Sequence, residues 1–204
     1  MPELVVVSES DASGDRDGTG DAGPRILARL GASDRRRLDT ATAAQRTRFL
    51  TGRRAALAAV SRLTVMPADA FTIDAVCPRC GGTHGRPAIS GPGRPVHVSI
   101  AHAGGRAFAA AARSPVGIDA EPLDAPAERL DVARAITGGG RGDPLARWTR
   151  VEAVRKADGR ALPVDPAEVH LALHRARIDS TDTRYRVHSL RRDGCVVATA
   201  LALP

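Results

Sequence analysis

One order of elements runs through this chain twice, and it constrains the fold more than any single motif does. A short apolar strand at residues 4–7 leads to helical patterns at 24–30 and 42–63. Strand-like runs follow at 70–76, 96–101 and 106–112, the last two joined by a Gly104-Gly105 turn. After Ser114 and Pro115 the order repeats: a strand at 116–121, helices at 127–136 and 145–157, then strands at 168–173, 184–190 and 195–202. The expected fold class is therefore α+β, with two pseudo-symmetric halves, 1–114 and 115–204, meeting at a cleft. Each half is expected to be a small, mainly antiparallel sheet packed against helices. Residues 8–23, rich in Asp, Gly and Ser, read as a mobile loop of the N-terminal half.

Composition narrows the class. With 204 residues and 43% apolar side chains the chain can bury a real core, which excludes wholesale disorder. No apolar run approaches the ~20 residues that span a bilayer, and the first residues lack a basic, then apolar, leader pattern. Three cysteines do not suggest a disulfide framework. A soluble, cytoplasmic, monomeric protein with no membrane partner is the expectation. The net charge of +7 and pI near 10.7 point to anionic partners. Nucleic acid is disfavoured, because aromatics are only 2% of the chain and cannot form a base-stacking platform. Arginine fills all but one of the 30 Lys and Arg positions; the exception is Lys156.

Several segments could carry chemistry. Gly18, Gly20 and Gly23 match a dinucleotide-type glycine pattern, but no strand runs directly into them and Asp21 sits where a phosphate would approach. Asp15 and Asp17 faintly echo a calcium loop whose closing acid would be Pro24. Both read as loop. Asp119 and Glu121 lie two apart at the end of a strand pattern, so their carboxylates share a face. The ordinary reading is a solvated strand end; the sharper one is a hard-cation site, since magnesium is commonly held by one or two carboxylates with water and substrate phosphates completing its shell. Glu152 and Lys156 are four apart on a helix, one turn beyond Trp148, a spacing that as a rule gives only a surface ion pair. His102 stands where a strand meets glycines, an ordinary solvated position that can also reach a phosphate.

Together these segments form a pattern. A histidine after a strand, then Gly117-Ile118-Asp119-Ala120-Glu121, then Trp148-Thr149 followed by Glu152-Ala153 and Lys156, resembles the 4'-phosphopantetheinyl transferase superfamily. The likeness is greatest to its monomeric two-half type, which serves polyketide and nonribosomal peptide synthases in secondary metabolism. It runs from about Gln45 to the C-terminus and includes Gly85-Arg86-Pro87 and the stretch from Lys156 to Leu162.

The resemblance implies magnesium (or manganese) on Asp119, Glu121 and Glu152, with Glu152 also the base. It implies Lys156 at the coenzyme A phosphates, and Arg86, His102 and, more loosely, Arg48 at the nucleotide end. The active site would lie in the cleft between the halves. The implied reaction transfers the 4'-phosphopantetheine arm of coenzyme A to a serine of an acidic apo acyl or peptidyl carrier protein, releasing adenosine 3',5'-bisphosphate. The chain departs from the family pattern at Ala101 (serine), Val151 (lysine), Ala161 (glycine) and 138–140, where an acidic residue is common.

Cys77, Cys80 and His84, directly before Gly85, offer three zinc ligands where a structural site uses four. Cys195 or His97 would complete the set only if the fold brings one there, so a reduced, metal-free loop is the expectation and zinc the alternative. Two rival functions use the same residues: a basic zinc module that binds nucleic acid, and another magnesium-dependent phosphate enzyme. The first does not account for the spacing of Asp119, Glu121, Glu152 and Lys156.

Overall fold

In the computed structural model, which describes residues 3–11, 22–138, 142–160 and 164–204, each half of the chain forms an antiparallel five-stranded sheet with helices against it. The chain divides into two units, Met1–Arg113 and Ser114–Pro204. The first comprises β1 (Leu4–Ser10), α1 (Ala22–Leu27), α2 (Ala32–Asp39), α3 (Ala43–Thr64), β2 (Thr72–Asp74), β3 (Ala88–Ser90), β4 (His97–Ala103) and β5 (Arg106–Ala112). The second comprises β6 (Val116–Pro122), α4 (Ala127–Ile136), α5 (Pro144–Asp158), β7 (Val169–Leu171), β8 (Arg175–Ile178), β9 (Arg184–Arg192) and β10 (Cys195–Ala202). The sheet orders are β1-β5-β4-β3-β2 and β6-β10-β9-β8-β7, the same topology position for position. In both units the first strand leaves to form helices, and the last strand returns beside it.

Helix α3 owes its start to a reciprocal cap. Thr42 Oγ1 accepts from the Gln45 amide and Gln45 Oε1 accepts from the Thr42 amide, worth about 1 kcal/mol. Its inward face is built of small residues: Ala55, Ala56, Ala59 and Val60 pack on Ala107, Ala109 and Ala111 of β5. Alanine on both sides lets helix and sheet approach closely. The unit also buries an ion pair, with Arg53 Nε 2.5 Å and Nη2 2.8 Å from the two carboxylate oxygens of Asp34. In the second unit Val151, Val154 and Ala157 of α5 close on Tyr185 and Val187 of β9 and on Ala198 and Ala200 of β10.

The expected α+β class, with two halves each made of an antiparallel sheet packed against helices, is the one observed, and several boundaries need correction. The loop expected at 8–23 begins too early: Ser8, Glu9 and Ser10 continue β1, paired with Phe108, Ala107 and Arg106. Backbone pairing to a central strand overrides a polar sequence there. Residues 12–21, with Asp15, Asp17 and most of the glycine pattern, lie outside the described residues, as do 139–141 and 161–163 with Ala161. Each sheet has one strand more than the three-strand runs implied, because β3 and β8 are short and alternate exposed with partly or fully buried positions. Helix α2 was hidden by its three consecutive arginines. The helix expected at 24–30 ends at Leu27, and Leu30 instead bridges to Ile73.

Candidate functional site

In the C-terminal unit the site is built on one face of β6. Strand alternation puts Gly117, Asp119 and Glu121 on that face. A Cβ at Gly117 would stand 1.8 Å from the Ala153 carbonyl oxygen and 2.6 Å from the Ala157 amide nitrogen. Glycine thus lets the backbone of α5 rest directly on the strand. The ends of α5 are set by Asp143, whose side chain accepts from the amides of Leu145 and Ala146, and by Gly159 at φ 85°. With Ala153 and Ala157 against Gly117, their neighbours Glu152 and Lys156 flank the contact.

The charges on this face are interlocked. Lys156 Nζ donates to Asp119 Oδ1 at 2.7 Å and to the Ile118 carbonyl oxygen at 3.0 Å. Glu121 takes both arms of the Arg129 guanidinium, from the first turn of α4. Glu152 is paired with Arg155. The Glu152–Lys156 pair read from the spacing is therefore not the one made: Lys156 turns to β6, and Arg155 takes its place. Burial pushes the Asp119 carboxyl up to about 6; Lys156 opposes the rise, and the charges of Glu152 and Glu121 add to it. Asp119 thus feels both other carboxylates although each of the three holds its own cation. Three carboxylates, Asp119 among them, are of the donor type a hard divalent cation prefers, but their oxygens do not all lie within 4.8 Å of one another, so to hold one they would have to turn from their present cationic partners.

In the N-terminal unit His102 lies on β4 against α3. A Cβ at Gly52 would come within 2.9 Å of its Nε2, so that glycine makes room for the imidazole. Arg48 is exposed and stands one helical turn before Gly52, on the same side of α3. Arg86 precedes β3 by two residues, and its charge reaches His97; burial first, then Arg86, holds the His97 imidazole below its usual range.

Cys77, Cys80 and His84 do come together: their potential ligand atoms all lie within 4.8 Å of one another, and among the described residues no other such trio of His, Cys, Asp or Glu is that tight. The thiol of Cys77 is held below its ordinary range by the backbone N–H groups of Arg79 and Cys80. His97 is not part of this cluster, and Cys195 is buried in β10.

Gly52, Arg129 and Arg155 were not singled out from the sequence, and Gly117 entered only as the first residue of a motif, with no packing role. A glycine inside a strand pattern is a signal for close backbone approach and was available at Gly117. The two arginines carry no such signal in an arginine-rich chain. Of the departures from the family pattern, Val151 has a packing reason, since it is buried among the core residues of the C-terminal unit.

No family model matches the sequence, and no curated protein matches it. Among solved structures the chain is similar to Helicobacter pylori holo-[acyl-carrier-protein] synthase in complex with coenzyme A. The likeness has a TM-score of 0.40 and 15% identity, and covers 53% of this chain and 97% of that one. No helix among the described residues is long and apolar enough to cross a membrane.

Proposed function

We propose that the protein is a magnesium-dependent 4'-phosphopantetheinyl transferase, which moves the arm of coenzyme A onto a serine of an apo carrier protein. The observation that carries this reading is the Lys156–Asp119 contact, made with Glu121 and Glu152 close enough to raise the Asp119 carboxyl. It brings an ammonium to a carboxylate 37 residues away in the chain, with two further carboxylates near enough for their charges to act on it, and cations and carboxylates of this kind are what phosphoryl-type transfer uses.

Asp119, Glu121 and Glu152 would hold magnesium, which when bound supplies charge neutralisation to the pyrophosphate. Lys156, released from Asp119, lends its ammonium to a phosphate oxygen of coenzyme A. Glu152 accepts the proton of the attacking serine hydroxyl. The serine oxygen forms a bond to the β-phosphorus as the bridging bond to the α-phosphate breaks, and adenosine 3',5'-bisphosphate leaves. Arg48, Arg86 and His102 are proposed to take the nucleotide end, whose phosphates need cationic or N–H donors. The net charge of +7 favours both anionic coenzyme A and an acidic carrier protein.

Coenzyme A carrying a fluorophore on its thiol tests this. An apo carrier protein should acquire the label, and the same carrier with its serine changed to alanine should not. Label on neither, or equally on both, would overturn the reading.

A further inference from the structure

We propose that Cys77, Cys80 and His84 form a binding site for one zinc ion, with two thiolates and an imidazole as ligands and the fourth position open to water. The site belongs to the N-terminal unit and does not depend on the reaction proposed for the carboxylates of the C-terminal unit.

Three features of the chain assemble it. The first is proximity: the two sulfurs and an imidazole nitrogen all lie within 4.8 Å of one another. Zn–S near 2.3 Å and Zn–N near 2.0 Å put tetrahedral ligand atoms about 3.5–3.8 Å apart, so little motion is needed to admit the ion. Cys80 Sγ and His84 Nε2, now 3.1 Å apart as a hydrogen-bonded pair, need only part slightly as the ion enters between them.

The second is the turn around the sulfurs. Cys80 Sγ accepts from the Gly82 amide at 3.4 Å. The turn is locked by Gly81 N–H to the Cys77 carbonyl and by Cys77 N–H to the Gly82 carbonyl, both 2.9 Å, with Gly81 at φ +69°. A backbone donor aimed at sulfur is what a metal-bound thiolate requires of its outer shell.

The third is Gly85. A Cβ there would stand 2.2 Å from the carbonyl carbon and oxygen of Val76 and 2.6 Å from the Cys77 amide nitrogen. The chain leaving His84 therefore folds flat against the chain entering Cys77, and this returns the imidazole to Cys80. Gly82 fills the space between, where a Cβ would meet Cys80 Sγ at 3.1 Å and His84 Nε2 at 3.3 Å.

Cys77 is buried, while Cys80 and His84 are exposed, so the open position faces solvent. Binding displaces the thiol protons to solvent, and soft sulfur with imidazole selects zinc over the hard magnesium. The ion closes the loop that joins β2 to β3 and ends on Arg86 and Pro87, tying that arginine to the sheet edge.

Cobalt titration of the reduced, chelator-treated full chain, read by absorption, tests the site. One equivalent of cobalt should give a thiolate-to-metal charge-transfer band with intense tetrahedral d–d bands, and one equivalent of zinc should remove them. Cys80→Ser and His84→Ala should each weaken zinc affinity at least tenfold, whereas Cys195→Ser should leave it unchanged. Zinc should also slow amide exchange across 77–87 in the parent and not in Cys80→Ser. Absence of the charge-transfer band in reduced protein would overturn the proposal. So would equal loss of affinity in Cys195→Ser, or a mass two hydrogens low with no metal retained, which would mark Cys77 and Cys80 as a disulfide pair.

Discussion

Lys156, on α5, reaches the strand beneath it and spends two hydrogen bonds on adjacent residues, 2.7 Å to Asp119 Oδ1 and 3.0 Å to the carbonyl oxygen of Ile118. It is the only lysine of the chain, and arginine stands at every other basic position outside histidine. A compact ammonium satisfies a carboxylate and a carbonyl on neighbouring residues. A planar guanidinium is wider and holds its charge further back.

Lys156→Arg should therefore keep stability within about 1 kcal/mol, since the side chain is partly exposed. Its transfer rate should fall at least tenfold, about 1.4 kcal/mol of transition-state stabilisation. Denaturant unfolding and the transfer assay check the two halves of this statement. A variant with the parental rate would reduce the role of Lys156 to bare charge.

Asp119 makes stability depend on pH in the metal-free protein. Its folded-state carboxyl is raised from 3.8 to about 6, so the folded chain holds this proton more tightly than the unfolded one. The contribution is present below the unfolded value and is lost as pH rises through about 6. Lys156 opposes the shift, and Glu152 and Glu121 strengthen it. Asp119→Asn should thus be more stable than the parent by about 1–2 kcal/mol at pH 7.5, with the difference vanishing at acid pH. Urea unfolding in chelator across this range reads it. A less stable variant at pH 7.5 would contradict the account.

Gly117→Ala should be among the most damaging single-methyl changes in the C-terminal unit. The added Cβ meets backbone atoms of Ala153 at 1.8 Å and Ala157 at 2.6 Å, and neither can swing away as a side chain can. Moving α5 off β6 should cost about 2–3 kcal/mol and part Lys156 from Asp119. Thermal unfolding and residual transfer at low temperature should fall together.

Half of this arrangement was legible in the residues themselves. Asp119 and Glu121 share a face because strand period is two, and Glu152 and Lys156 share one because helix period is near four. What spacing could not supply was which partner each charge takes. The Glu152–Lys156 pair is locally allowed, yet the close seat of α5 on Gly117 offers Lys156 a partly buried carboxylate, and tertiary contact wins over the helix-surface pair. Strands β3 and β8 were missed for a related reason: three and four residues carry too little periodicity, and pairing to their neighbours holds them. The Cys77, Cys80 and His84 trio was visible as a spacing, but the return of His84 to Cys80 depends on the flat contact at Gly85.

His102 offers a test in the N-terminal unit. His102→Ala should raise the KM for coenzyme A roughly tenfold with little change in kcat, the loss of about 1.4 kcal/mol of uniform binding. Gly52→Ala, which places a Cβ 2.9 Å from His102 Nε2, should act in the same direction through the displaced ring. If both leave that KM unchanged, the histidine does not hold the nucleotide.

On the reading proposed, the carboxylates around Asp119 and the ammonium of Lys156 serve phosphopantetheinyl transfer. Intact-mass measurement of an apo carrier protein, incubated with this protein and coenzyme A, tests it most directly. The carrier protein should gain one phosphopantetheine arm, with an equal amount of adenosine 3',5'-bisphosphate formed. The gain should be lost in chelator, restored by magnesium, and lower by about two orders of magnitude or more in Asp119→Ala. No mass gain with any carrier protein tried, or an undiminished gain in chelator and in Asp119→Ala, would contradict it.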